Sequence, residues 1–383
     1  MKKKSMFIKT LVIMATIMVS VSSIIAFANM NVHTSTKIKE PSINLYYGVK
    51  SYDALTKLAE TKKLSKVNTM AFHWGEIGIN ANDNSLMLKN KMPLDFEKAL
   101  KTAKKQNLET YFSVYMVDGY DQFFQGDVKP ETWFMAQFED KISSKATFDG
   151  VVIDLEALPK QYQENYLAFL EALKPFCDAQ NLKLWVAVQP SVTNDFNRLL
   201  VSVDNCILML HDYEAKKLMI PRANGKVITP LAPIDKVERD LSVIVSQIKN
   251  TNDLSKLSLQ LNMATAQWKV KDGALLNLDQ QKTFAYPYRP EYYKVLDTWE
   301  SMIKNKKVFE LGYLEREQIP YLYFKDEVEG TYNTVIFENE KSIRAKMNLA
   351  KKYGVYNFSV WRVGNIPNSS KLGMDILSEV LKK

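Results

Sequence analysis

Eight short apolar runs, spaced along the chain with amphipathic stretches between them, limit what this sequence can fold into more than any other feature. The runs are Ile43–Val49, Val67–Trp74, Leu108–Met116, Gly150–Leu155, Leu182–Gln189, Cys206–Leu210, Leu257–Met263 and Val355–Trp361. Apolar residues recur at helical spacing in Tyr52–Lys62, Leu94–Gln106, Gln161–Gln180, Val237–Lys249 and Ser342–Tyr353, which predicts helices there. Pro159 stands where the third helix should begin, and its missing N–H is harmless at a helix start. Asn107 and Asn181 follow two of the helices, as C-terminal stops do. Strands that are apolar on both faces and alternate with helices predict an α/β fold with a parallel sheet closed into a (β/α)₈ (TIM) barrel. The rival is a doubly wound open sheet, but no glycine-rich phosphate loop follows the first run.

The rhythm breaks once, over Ala264–Glu340. That stretch holds the aromatic turn Tyr286-Pro287-Tyr288-Arg289-Pro290, a helix near Tyr292–Asn305, and short strands near Tyr321–Phe324 and Thr334–Phe337. It predicts a small α+β subdomain, about 265–340, inserted between the seventh and eighth strands.

The first 41 residues differ from the rest. Lys2, Lys3, Lys4 and Lys9 form a basic head, Leu11–Ile25 is apolar, and Ala26-Phe27-Ala28 is a small-x-small signal. This order predicts a secretory signal peptide over residues 1–28, with an uncleaved membrane anchor as the alternative. Residues 29–41 then read as a linker to a barrel domain spanning 42–383. Loss of four lysines and no acids lowers the formal charge from +8 to +4. The mature chain is too mildly basic for a dedicated nucleic-acid binder, but suits work at an anionic cell wall or membrane surface. The expectation is a secreted or surface-associated protein, acting as a monomer. Its two cysteines, Cys177 and Cys206, do not make a disulfide scaffold; they read as small core residues, with a bridge as the alternative. His33, His73 and His211 lack metal-ligand spacing, so neither a metal nor another cofactor is expected.

Asp149-Gly-Val-Val-Ile-Asp-Leu-Glu156 carries the chemistry. On a strand, Val152, Asp154 and Glu156 point the same way. Two carboxylates at the end of an apolar strand are costly to bury unless paired or used. One of them, beside its neighbour, could hold the raised pKa that a general acid needs. The bland reading is a pair that caps the next helix or faces solvent. A barrel brings further polar residues to the same end of its strands: Gln189, His211, Asp212, Tyr213 and Asn262, with Trp361 closing the eighth. Acids, amides, a phenol and an indole platform suit a sugar ring, whose apolar face packs on an aromatic. Taken singly, Gln189 and Asn262 read as structural and Trp361 equally as core; their convergence makes the argument.

Those residues resemble glycoside hydrolase family 18, the chitinase and endo-N-acetylglucosaminidase family. Its fourth-strand signature, Asp-Gly-x-Asp-x-Asp-x-Glu, stands here as Asp149-Gly150-Val151-Val152-Ile153-Asp154-Leu155-Glu156. Leu208-Met209-Leu210-His211-Asp212-Tyr213 is similar to the family's Met-x-Tyr-Asp on the sixth strand. Val335-Ile-Phe-Glu-Asn339, Ser342-Ile-Arg-Ala-Lys346 and Phe358-Ser-Val-Trp-Arg-Val-Gly364 resemble the branch of bacterial spore-cortex-lytic and spore-germination hydrolases. The resemblance implies that Glu156 is the general acid. Asp154 would orient the substrate's 2-acetamido group as its carbonyl oxygen attacks the anomeric carbon, the substrate-assisted exception to the two-carboxylate scheme. It further implies a floor at Trp361 and substrate contacts at Asp149, Gln189, Met209, His211, Asp212, Tyr213 and Asn262.

Two departures stand out. Val152 replaces the family's middle Asp, so Asp154 lacks a like-charged neighbour and is expected to have a lower, less coupled pKa. His211 replaces the family's Tyr, and is expected to donate through a ring N–H, with Tyr213 as alternative donor. The resulting reading is an exported, retaining glycosidase of β-linked N-acetylglucosamine polymers. Peptidoglycan comes first, and chitin or N-glycan chains next. A catalytically silent sugar-binding protein on the same barrel is the rival.

Overall fold

The computed structural model describes residues 43–47, 52–60, 63–191, 195–213, 226, 229–278, 285–362 and 371–382. The expected signal peptide and linker lie outside these residues. The eight apolar runs form strands Ile43–Tyr47, Thr69–Ile79, Glu109–Met116, Gly150–Leu155, Lys183–Val188, Asn205–Leu208, Leu257–Asn262 and Asn357–Trp361, taken as first to eighth. Each is parallel to its neighbours, and the first pairs with both the second and the eighth (Asn44 opposite Thr69, Ile43 opposite Phe358). The sheet therefore closes on itself, and the doubly wound alternative is excluded.

Side-chain alternation divides the core in two. On the fourth strand, Val151, Ile153 and Leu155 face the outer helices, where most of the apolar core lies. Val152 faces inward with Ala71, Tyr111, Trp185, Ala187, Ile207 and Met209. Helices Tyr52–Glu60, Phe96–Lys105, Gln163–Ala179, Ile234–Gln247 and Glu340–Lys352 lie within a few residues of their predicted ends. Asn107 and Asn181 adopt φ of 57° and 56° just past two of them, the left-handed stop that asparagine tolerates. Pro159 is extended and precedes a 3₁₀ turn at Lys160–Tyr162, so the helix itself starts at Gln163. Gly150 has a steric reason: a β-carbon there would meet the Tyr111 ring and lie 2.6 Å from the Lys183 carbonyl oxygen.

Among the described residues, four helices were not predicted, Tyr120–Gln125, Pro130–Phe138, Phe196–Val201 and Ile376–Val380. The second strand also overruns its predicted end at Trp74 and turns back through the antiparallel strand Leu86–Asn90. The insertion is α+β as expected, and richer in strands. Its antiparallel sheet runs in the order Ala274–Leu275, Ala266–Lys271, Thr331–Ile336, Ile319–Asp326, Phe309–Leu314, with helix Tyr292–Lys304 alongside in sequence. It has its own small core around Trp268, Val270, Ile319 and Ile336. Where it rejoins the barrel, Lys346 and Glu338 form a fully buried ion pair at 2.8 Å, and Ser342 also donates to Glu338. Cys177 and Cys206 are buried and free, so no bridge joins them.

Candidate active site

Asp154 is the penultimate residue of the fourth strand and Glu156 stands one residue past its end. The strand's last turn is pinned by its neighbour: the Glu156 amide donates to the Met116 carbonyl at 2.8 Å. Tyr120 donates its hydroxyl to that carbonyl at 3.0 Å and to the Glu156 carbonyl. The two carboxylates share a pocket with Gln189, Met209, His211, Asp212, Gln260 and Trp361 at the C-terminal mouth of the barrel. Seven of the ten residues predicted for the site thus come together.

Asp154 is 3% exposed, and its Oδ1 has no hydrogen-bond partner among the described residues. Burial pushes its carboxyl well above the usual carboxylate range, and the charge of Glu156 adds to the push. The expected drop is relative to a chain with an acid at position 152; against the ordinary carboxylate value the direction is upward, with burial as its first cause. Val152 is fully buried and brings neither a charge nor a hydrogen-bond donor to this wall, and desolvation is the first cause of the upward shift.

His211 is enclosed by polar partners. Its Nδ1 lies 2.9 Å from Asp212 Oδ2 and 3.1 Å from Asn262 Nδ2, and its Nε2 lies 2.6 Å from Gln260 Oε1. Burial lowers its basicity, but the hydrogen bond and charge of Asp212, with help from Gln260 and Glu156, raise it above the ordinary imidazole value. Both ring nitrogens are therefore engaged inside the wall, and the expected ring N–H toward a ligand is already spent. Asp212 also faces the guanidinium of Arg289, 3.3 Å away, from the aromatic turn of the insertion.

Three predicted residues stand elsewhere. Asp149 lies at the opposite end of the fourth strand, about 20 Å from Glu156 by strand rise. There its carboxylate accepts from the Thr110 amide at 2.7 Å and hydroxyl at 2.9 Å, which fastens two strand starts. Tyr213 was placed on the His211 face by period-two alternation, but the strand ends at Leu208 and Asp212 turns through φ +60°. Its hydroxyl instead donates to Asp240 at 2.5 Å, on helix Ile234–Gln247. Asn262 sits behind His211, its Oδ1 accepting from the Ala264 amide at 2.8 Å.

Sequence reasoning missed Gln260 and a neighbouring aromatic group. The Trp361 ring meets His73 edge-on with centroids 5.0 Å apart, and His73 stacks on Tyr115 at 4.6 Å. Burial, with Arg362 and Lys91 nearby, holds His73 down to about 4, so it is neutral at ordinary pH. Beyond it Lys89, Lys91 and Tyr115 all hydrogen-bond Glu76. Partial burial would raise the Glu76 pKa, but Lys91, Tyr115 and Lys89 bring it down to about 2. Glu76 belongs to the unpredicted overrun of the second strand. Among the described residues, no group of three or more His, Cys, Asp and Glu side chains is placed to hold a metal ion.

Comparison with known proteins agrees with this geometry. The family model for glycosyl hydrolases family 18 matches residues 22–365. Among curated proteins of Bacillus subtilis, the uncharacterized glycosylase YvbX is 21% identical over 285 residues, covering 70% of this chain and 74% of its own. The putative sporulation-specific glycosylase YdhD is 20% identical over 240 residues and 58% of this chain; the match spans about half its length (49%). Among solved structures, the Bacillus cereus spore cortex-lytic enzyme SleL has the same fold, with a TM-score of 0.66 at 18% identity over 91% of this chain and 76% of that one.

Proposed function

The chain belongs to glycosyl hydrolases family 18, and from that premise we propose that this glycoside hydrolase is exported and cleaves β-linked N-acetylglucosamine polymers with retention, peptidoglycan first among them. One observation carries the reading: Asp154 and Glu156 open into one pocket over Trp361. Two acids from one strand end cannot flank a sugar ring from opposite sides, so the first displacement must use a nucleophile other than a second enzyme carboxylate. The substrate's own acetamide is suitably placed to serve.

Glu156 protonates the glycosidic oxygen as the acetamide carbonyl oxygen attacks C1, and the leaving sugar departs with that proton. The cyclic oxazolinium ion that forms is then opened by water, which Glu156 deprotonates, restoring the acid and giving the same anomer. Asp154 accepts from the acetamide N–H. A carboxylate that ionises reluctantly in its buried site gains most when positive charge appears beside it, so its stabilisation is greater after cyclisation than before. Trp361 supplies the apolar floor. Export rests on the basic-apolar-small order of residues 1–28. The peptidoglycan preference is supported by the sequence likeness to the spore-lytic branch.

Mass spectrometry of the products from purified peptidoglycan and from chitin oligomers tests the proposal. New reducing-end N-acetylglucosamine from peptidoglycan supports it, and products from chitin alone would change the substrate. Absence of products from both would favour the sugar-binding reading, to which Val152 and the engaged His211 ring point.

A further inference from the structure

We propose that Gln260 supplies the N–H that holds the carbonyl oxygen of the substrate's acetamide, and that His211 is the positioning residue that fixes the amide for this task. The inference deepens the proposed function and rests on it.

An acetamide presents one donor and one acceptor to its site. The pocket is rich in acceptors, with the carboxylates of Asp154, Glu156 and Asp212 on its wall. A carbonyl oxygen needs a donor there, and His211 does not provide one. Asp212 and Asn262 lie against its Nδ1, and its Nε2 is directed to Gln260 Oε1 at 2.6 Å. That last contact turns Gln260 around. With Nδ1–H given to Asp212, the imidazolium form of His211 donates Nε2–H to the Gln260 oxygen, and a planar amide so held must point its nitrogen the other way. Gln260 is 4% exposed yet lines the pocket, and its Nε2 has no partner among the described residues.

Gln189 also brings an amide to the pocket, but makes no side-chain hydrogen bond among the described residues that would fix which end faces the ligand. Gln260 is held in advance. Asp212 orients the imidazole, the imidazole orients the amide, and the amide N–H is aimed before the sugar arrives. A donor fixed in advance costs little reorganisation when the acetamide oxygen moves toward the anomeric carbon.

Calorimetry on the full chain, in a Glu156→Gln background that leaves oligomers intact, tests the assignment with N-acetylglucosamine and glucosamine tetramers. Gln260→Leu is expected to weaken the acetylated tetramer about 3- to 10-fold, the scale of one hydrogen bond, and to leave the glucosamine tetramer within about twofold. Gln260→Glu keeps an acceptor for His211 but carries no N–H, so it is expected to lose the acetylated tetramer as well. It also guards against a Leu variant that fails to fold, with melting temperature as the control. His211→Phe should lower the same preference by freeing the amide to rotate. Equal losses for both tetramers in the Leu variant, or undiminished acetylated binding in the Glu variant, would overturn the assignment while the substrate class stood. A parent protein that binds neither tetramer would overturn both.

Discussion

Replacing Asp154 with asparagine is expected to make the protein more stable at neutral pH, although it removes a residue placed in the catalytic machinery. Asp154 is 3% exposed, one of its oxygens has no hydrogen-bond partner among the described residues, and burial raises its pKa. A carboxyl whose pKa is higher folded than unfolded contributes stability at low pH, where it is protonated in both states. That contribution is lost as pH climbs from the ordinary carboxylate value through the raised one. Asparagine never ionises, so the variant does not share the loss. The two proteins should match near pH 4 and diverge upward. Linkage for a single proton limits the widening to about 1.4 kcal/mol per pH unit. With an unfolding entropy of about 2.1 cal/mol/K per residue, each kcal/mol of that difference raises the Tm of a barrel of about 340 residues by about 1.4 °C. Chemical denaturation at intervals from pH 4 to 8 gives the difference curve. A flat curve, or a wild type more stable than the variant at pH 7, would refute the claim that desolvation governs Asp154.

Other perturbations have equally definite outcomes. Glu156→Gln should abolish turnover while retaining oligosaccharide binding, because an amide keeps the shape but delivers no proton; a turnover assay beside calorimetry separates the two. Trp361→Ala should weaken oligosaccharide binding by about 1–3 kcal/mol, the worth of a large aromatic contact, and a fall in Tm with unchanged affinity would make it a core residue instead. Val152→Asp would set a second carboxylate inside a fully buried wall, costing about 2 kcal/mol or more at pH 7. The penalty should shrink toward pH 4 as both acids take up protons, and a pH-independent loss would point to steric damage.

The barrel was legible because its strands are apolar on both faces and its helices are not. Gly150–Leu155 was placed to the residue, and the neighbouring strands to within a few. Elements that bury little, or abut another strand, were not legible. Phe309–Leu314 is a largely solvent-facing edge, and Ala266–Lys271 begins three residues after the seventh strand ends, so no polar gap marks it. The site followed the same division. Asp154, Glu156 and Trp361 are local signals at strand ends. Gln260 gains its meaning from a ring 49 residues away in sequence, and Tyr213 lost its place to a single left-handed residue. The upward shift of the Asp154 carboxyl was only partly legible, because a sequence displays a missing charge and hides missing solvent.

The strand that carries Trp361 is also the one that seals the sheet, lying between the seventh strand and the first. Synthesis reaches it last of the eight. A chain still emerging from the ribosome has its two acids long before it has the indole that shares their pocket. Until residues 357–361 arrive, the sheet has two raw edges and the pocket lacks one of its walls. Hydrolytic competence is thus withheld by chain order alone, and a product truncated ahead of Asn357 would carry the acids without the activity.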